Sequence, residues 1–496
     1  MAKQHIPQLN PEQRHAHDRI VSSVEARSGR IFFLSGTGGT GKTFVYNTIC
    51  NTVRGNGLIV LCVASSSIAS LLLHGGRTTH SMFKIPLNPN DNSYCSIAKE
   101  GNLADLIRAT RLIIWDEITM QHHYAAEAVD RTCHDLLNTP GHPFGSITIV
   151  FGGDFQQILP VVRNGSRADI VFASLLRSTL WNGIEILRLV QNMWLVGDPD
   201  AWEFSSWLLN IGHGNGCGED GATLLPQEMI SPNLDAFVAE IYPTIGSDPP
   251  PAAEYFLERM ILAPQNSDVD DLNHKLLSLM LGEERVFHSA DSVAQEAGAD
   301  DETSDVNTYP VEFLHSITAS GLPPGELRLK PGCPLILLRN LSPAQGLCNG
   351  TRLILTRMSP RVLEVTIIGG DYHGRTEFIP RITLTPTTDE ANFTFRLKRR
   401  QFPVRLAFSV TINKAQGQSV AFFGSDLWIL VFSHGQLYVA LSHATNSRNV
   451  RILLPTDQEG SQTTNVVYPE VLTDQVSILP TRVLCYSHFC FYKQTL

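Results

Sequence analysis

Residues 36 to 43 read GTGGTGKT, preceded by the apolar run RIFFLS and followed by FVYNTI, whose apolar residues recur at helical spacing. Gly36, Gly41, Lys42 and Thr43 match G-x-x-x-x-G-K-[ST] in full. Glycines, with Gly38 and Gly39 between them, let backbone N–H groups turn inward around phosphates, and the helix that follows points its positive end at the same charge. Lys42 then reaches the outer phosphates and the Thr43 hydroxyl helps to hold Mg²⁺. A strand, a phosphate loop and a helix in this order commit the N-terminal part to a parallel α/β sheet.

Two further runs fit that sheet. RLIIWDE, 111 to 117, is apolar until it ends in Asp116 and Glu117, as suits a buried strand that delivers carboxylates at its C-terminal edge. Asp116 is the candidate magnesium ligand and Glu117 the group that polarises the attacking water. SITIVFGGDFQQ, 146 to 157, has the same form and offers Asp154 and Gln157 as sensors of the γ-phosphate. With LIVLCVASSSIAS, 58 to 70, these strands alternate with helical patterns. ATP hydrolysis is the expected chemistry, but kinases, transport ATPases and GTPases share these parts.

The chain has 496 residues, 43% apolar and 17% charged, enough for about three domains. Its net charge is -10, from 38 basic and 48 acidic residues, so no global positive field marks a nucleic-acid binder and any such site must be a local groove. Nine scattered cysteines with no C-x-x-C spacing read as reduced thiols. Cys485, His488 and Cys490 lie close together but lack the fourth ligand of a closed zinc site. The N-terminus has no apolar leader, and LIVLCVA is far short of the roughly 20 residues of a membrane span, so a soluble, unsecreted protein without membrane contact is expected.

The series of motifs resembles the superfamily 1 DNA helicases of the petite-integration-frequency type, and above all the helicase modules of helitron transposons. The likeness runs in order through LNPEQRHAHDRI, GTGGTGKT, ASSSIASLLLHGGRTTHSMFKIP, DEITM, GGDFQQILPVV, ERMILAPQNSDVDDLN, LLRNLSPAQGLCNGTRLI, PVRLAFSVTINKAQGQS and QLYVALSHAT. It implies two RecA-like domains with ATP between them, moving 5′ to 3′ on single-stranded and forked DNA. The implied roles are repair, recombination, telomere maintenance or transposon replication, in the nucleus, with a rolling-circle nuclease as a possible transposon partner. Residue by residue, Gln13 is assigned to the adenine, Lys42, Thr43 and Gly417 to the nucleotide, Asp116 to magnesium, Glu117 to the base and Gln157 to γ-phosphate coupling. Ser65, Ser66, His80, Phe83, Thr411, Lys414 and Gln416 are assigned to the DNA groove, where Phe83 is either a stacking platform or a core residue. The expected domains are 1–205, a connector 206–253, a second RecA-like domain from 254–330 and 401–453, an SH3-like insertion 331–400, and a tail 454–496 without fixed structure. NIGHGNGCGEDG, 210 to 221, reads as an exposed crossing, QEAGADDETSD as a disordered acidic loop, and RLKRRQFPVR as either a phosphate contact or a solvated strand edge.

Three positions depart from the resemblance. His443 stands where the family has an arginine that faces the γ-phosphate, Trp194 where it has another, and Gln156 where the helitron pattern has a third. An arginine finger is worth about 10³–10⁵ in turnover, and neither a mostly neutral histidine nor an indole replaces it. The residues therefore leave two readings, a working motor in which Arg188, Arg448 or Arg451 fills the cleft, or a binder that hydrolyses ATP poorly.

Overall fold

A computed structural model describes residues 2–193, 199–218, 221–294, 309–317, 319, 321–386, 395–418, 420–444, 446–455 and 460–472. Trp194, the acidic stretch 295–305 and the Cys485, His488, Cys490 group lie outside the described residues, as does everything beyond 472.

Six parallel strands build the first sheet: β1 (Ile31–Gly36), β2 (Ile59–Ala64), β3 (Arg77–Thr78), β4 (Thr110–Asp116), β5 (Thr148–Gly153) and β6 (Ile184–Leu189). Their order is β3-β2-β4-β5-β1-β6, so the phosphate strand β1 lies between β5 and β6 while β4 lies one strand further in. The runs IFFL, VLCVA, LIIWD and TIVFGG are buried along their length because helices cover both faces. One face packs Ile20, Val45, Tyr46, Ile49 and Val53; the other packs Phe83, Trp115, Val129, Phe144 and Phe155.

A second parallel sheet joins Ser409–Thr411, Arg259–Ala263, Phe422–Asp426 and Val450–Leu453 in that spatial order. Into it is inserted a five-stranded antiparallel sheet made of Pro334–Leu337, Arg352–Met358, Val362–Ile367, Thr376–Pro380 and Val404–Leu406. The insertion thus closes at Leu406, not at residue 400. The strand Arg396–Gln401 belongs elsewhere, paired with Ala290–Ala294 and Ile382–Leu384.

Other expected boundaries shift as well. The limit at 205 falls inside the helix Pro199–His213, whose last turn buries Ile211, so the glycine-rich segment begins as helix rather than as an exposed crossing. Residues 460–472 of the expected tail are ordered against the first domain. Gln462–Thr464 pairs antiparallel with Ala222–Leu224, and Tyr468, Val471 and Leu472 enter the core beside Phe155. In RLKRRQFPVR the strand Arg396–Gln401 is central rather than an edge, and its alternation turns Leu397, Arg399 and Gln401 inward, all 0% exposed, while Lys398 and Arg400 stay outside.

Candidate active site

The phosphate loop is shaped by backbone that other residues resist. Gly39 and Gly41 both have φ near +81°, the left-handed region where a side chain is strained. At Gly41 a Cβ would also lie 2.6 Å from Nε2 of Gln13. That amide is already placed: Gln13 Oε1 accepts from the Asn10 N–H at 3.1 Å as half of a capping box, and Nε2 donates to the Thr40 carbonyl at 3.0 Å. Gln13 therefore fixes the helix Pro11–Glu25 to the loop. Lys42 opens the helix Lys42–Gly55 and donates Nζ to the Gly36 carbonyl at 2.5 Å, folded over the loop it serves.

β4 ends on the carboxylates. Asp116 Oδ1 accepts the Glu117 N–H at 3.0 Å, and Glu117 takes a left-handed turn with φ 52°. Both are 5% exposed. Burial raises Asp116 above the ordinary carboxyl range, with Lys42 opposing; burial and the charge of Asp116 push Glu117 up to about 8. Two buried acids beside one lysine leave a deficit of positive charge that a divalent cation fits, and Thr43 and Asp116 both line the cavity where Mg²⁺ would be held. Bound there, magnesium would neutralise phosphate charge.

The second sheet closes this cavity, which measures about 470 Å³. Gln416, 1% exposed, donates Nε2 to Glu117 Oε2 at 2.8 Å and to Gln157 Oε1 at 2.5 Å. It was expected in the DNA groove; it belongs to the nucleotide cleft, because the turn after the helix Ile412–Ala415 faces the first domain. Gly36, named for the nucleotide, accepts Lys42 Nζ at its carbonyl, and a Cβ there would lie 2.5 Å from Thr40 Oγ1 and 3.2 Å from Leu189 Cβ. Gly417 lines the cavity with φ 87°.

His443 lines the cavity too, 3% exposed. Its Nδ1 donates to the Gln418 carbonyl at 2.7 Å, which leaves Nε2 as the bare, unpartnered nitrogen, and burial pushes the ring down to about 4. It is neutral at pH 7 in this state and supplies no charge. Arg188 lines a separate small cavity with Phe33 and Trp181. Arg451 donates to the Arg448 carbonyl and pairs with Glu240 at 3.3 Å. Among the described residues lining the nucleotide cavity, Lys42 is the one fixed cation.

Sequence reasoning missed the contacts that join the domains here. Tyr438 donates its hydroxyl to Asp154 Oδ2 at 3.2 Å, so Asp154 anchors the helix Gln436–Leu441 rather than facing the γ-phosphate. His434 donates Nε2–H to the Phe155 carbonyl and accepts the Tyr468 N–H at Nδ1, each at 2.8 Å. A tyrosine among the apolar residues 437–441 was the one available signal, and it does not name its partner.

The remaining DNA-groove candidates gather elsewhere. Ser66, Thr411 and Lys414 line a second cavity of about 180 Å³ with Asn349 and Arg405 of the insertion. Ser65 and Thr79 donate their hydroxyls to Gln121 Oε1, both at 3.2 Å, so Ser65 is tied back to the segment after the acidic pair. His80 is exposed nearby. Phe83 is the correction: at 1% exposure it stacks on Trp115 with ring centroids 5.9 Å apart, a core residue with no face for a base.

A phosphate loop and acidic pair on one parallel sheet, capped by glutamine and histidine from a second, define a two-domain P-loop NTPase. The pattern of the PIF1-like helicases matches residues 8–221, and that of the 2B domain of the DNA helicase Pif1 matches 312–358. The chain is 26% identical to the ATP-dependent DNA helicase Pif1 of Bdellovibrio bacteriovorus over 90% of its own length and 88% of that protein. It is 25% identical to the human ATP-dependent DNA helicase PIF1 over 90% of its length, spanning 62% of that longer protein. Among solved structures, Pif1 helicase from Candida albicans superposes with a TM-score of 0.64 at 23% identity, covering 94% of this chain and 98% of that one. Bacteroides Pif1 bound to ssDNA gives 0.65 at 21%, covering 92% and 95%. The chain belongs to the Pif1-like helicase family.

Proposed function

We propose that this protein is an ATP-driven motor that moves 5′ to 3′ on single-stranded DNA and opens forked duplexes, with Mg²⁺ at Thr43 and Asp116. The observation that carries the reading is Gln416: one amide of the second domain bonds at once to the acid that polarises water and to Gln157, so closing the cleft and arming Glu117 are the same event. The names of the relatives, ATP-dependent DNA helicases, and the single strand bound to Bacteroides Pif1 support it. The second cavity, edged by hydroxyls, amides, Lys414 and Arg405, suits sequence-blind contact with a phosphate backbone. No described helix is long and apolar enough to cross a membrane, and action on DNA favours the nucleus in a eukaryote.

The alternative, a nucleotide and DNA binder with poor turnover, draws on the neutral His443 and on a cavity lining without arginine. Steady-state ATP hydrolysis with and without single-stranded DNA decides between them, with Lys42→Ala as blank. The motor reading expects native turnover well above the blank and stimulated by DNA, raised by about tenfold or more in His443→Arg. Native turnover at the blank level, restored only when His443→Arg and Trp194→Arg are combined, would establish the binder.

A further inference from the structure

We infer that Cys50 and Cys62 form a redox-active pair that closes to a disulfide inside the first domain. Cys50 lies on the helix that begins with Lys42 and Thr43, Cys62 in the middle of β2, and their sulfurs are 3.1 Å apart. A disulfide bond of about 2.05 Å needs an approach of only about 1 Å more. Among the described residues no other two cysteine sulfurs are in hydrogen-bond contact.

The surroundings favour one thiolate. Arg54 Nη2 lies 3.5 Å from Cys62 Sγ and is held there by the Val60 carbonyl at 3.1 Å, while its Nη1 donates to the His74 carbonyl at 3.0 Å. The Cys50 thiol, and then Arg54, hold Cys62 below the ordinary thiol value against the effect of burial, whereas Cys50 is pushed up. A neighbouring guanidinium is the setting in which a thiol becomes a nucleophile.

The co-reactant is a hydroperoxide. The Cys62 thiolate attacks one peroxide oxygen, the O–O bond breaks, and the departing hydroxide takes up the proton that Cys62 had released, leaving a sulfenic acid and water. Cys50 sulfur then attacks Cys62 sulfur, the S–O bond breaks, and the oxygen leaves as water with the Cys50 proton. Two thiols have lost two electrons, and one hydrogen peroxide has become two waters. Because both sulfurs are buried, oxidation waits on local opening and runs slower than at the half-buried Cys217 or Cys348. The cross-link joins elements already in contact, so it stiffens the nucleotide-binding helix against β2 without moving the phosphate loop.

The test treats the full chain with hydrogen peroxide, blocks remaining thiols with iodoacetamide in denaturant, and maps tryptic peptides without reduction. Cleavage after Lys42, Arg54 and Arg77 puts Cys50 and Cys62 on separate peptides, so the expected product is those two joined and lighter by two hydrogens. The oxidised chain should also melt a few degrees higher, a difference erased by dithiothreitol and absent in Cys50→Ala, whatever the basal melting point of that variant. Alkylation of both cysteines after exposure prolonged well beyond the time at which Cys217 and Cys348 are fully oxidised, or linkage of either to a third cysteine, would overturn the pair.

Discussion

Phe83 shows what a single residue can and cannot announce. Its ring is buried against Trp115, and deleting it should cost about 3–5 kcal/mol through lost contacts and the cavity left behind. Phe83→Ala should thus lower the melting temperature sharply, and any soluble fraction should keep its affinity for single-stranded DNA; native stability with weakened DNA binding would restore the stacking role. The phosphate loop and the pair Asp116, Glu117 were legible because their chemistry is written in adjacent residues. Gln416 was not. The residues around it name a loop, but which cavity that loop faces depends on how two sheets pack, and no local spacing encodes that. His443 lies between these cases: the departure was visible in the sequence, while its lone hydrogen bond to the Gln418 carbonyl and its neutral state needed the fold.

Among the elements, those with unbroken apolar runs were read correctly in place, since a strand covered on both faces leaves no polar position to confuse the pattern. Arg396–Gln401 is the opposite case. Its alternation is regular, yet the inward position holds Arg399, whose guanidinium pairs with Asp291 at 2.7 Å and donates to the carbonyls of Leu314, Ile317 and Pro323. Charge in the sequence suggested a surface; complete pairing allows the interior. The pair is 0% exposed on both sides, so removing one partner leaves a buried charge without compensation. Asp291→Asn, nearly unchanged in shape, should destabilise the chain by about 3–5 kcal/mol in denaturant titration. Asp291→Leu combined with Arg399→Met should recover much of that loss. Equal damage from the single and the double change would mean that the uncompensated charge of Arg399 is not the source of the loss.

At the scale of the molecule, three distant stretches meet on one imidazole. His434 precedes the helix Gln436–Leu441 of the second domain, its Nε2–H holds the Phe155 carbonyl of the first, and its Nδ1 holds the Tyr468 N–H of the returning C-terminal segment. Arg167 reinforces that return by pairing with Glu470 at 2.7 Å and lying 4.8 Å from the Tyr468 ring centroid. Both imidazole nitrogens are used in the neutral form, and a second proton would remove the acceptor that Tyr468 needs. Burial accordingly pushes His434 down to about 4 from 6.5, with the Phe155 carbonyl opposing. Above pH 6.5 the folded and unfolded chains both hold it neutral and its contribution is complete. As pH falls from there toward 4, the unfolded chain takes up a proton that the folded chain refuses, and stability is lost at up to about 1.4 kcal/mol per pH unit, about 3 kcal/mol over the window. His443, lowered to the same extent, adds a loss of the same sign. Melting temperature measured from pH 7.5 down to 4 should therefore fall more steeply in the native chain than in His434→Gln, which keeps a donor and an acceptor but cannot titrate. Parallel profiles for the two proteins would show that the imidazole between the domains does not set this acid sensitivity.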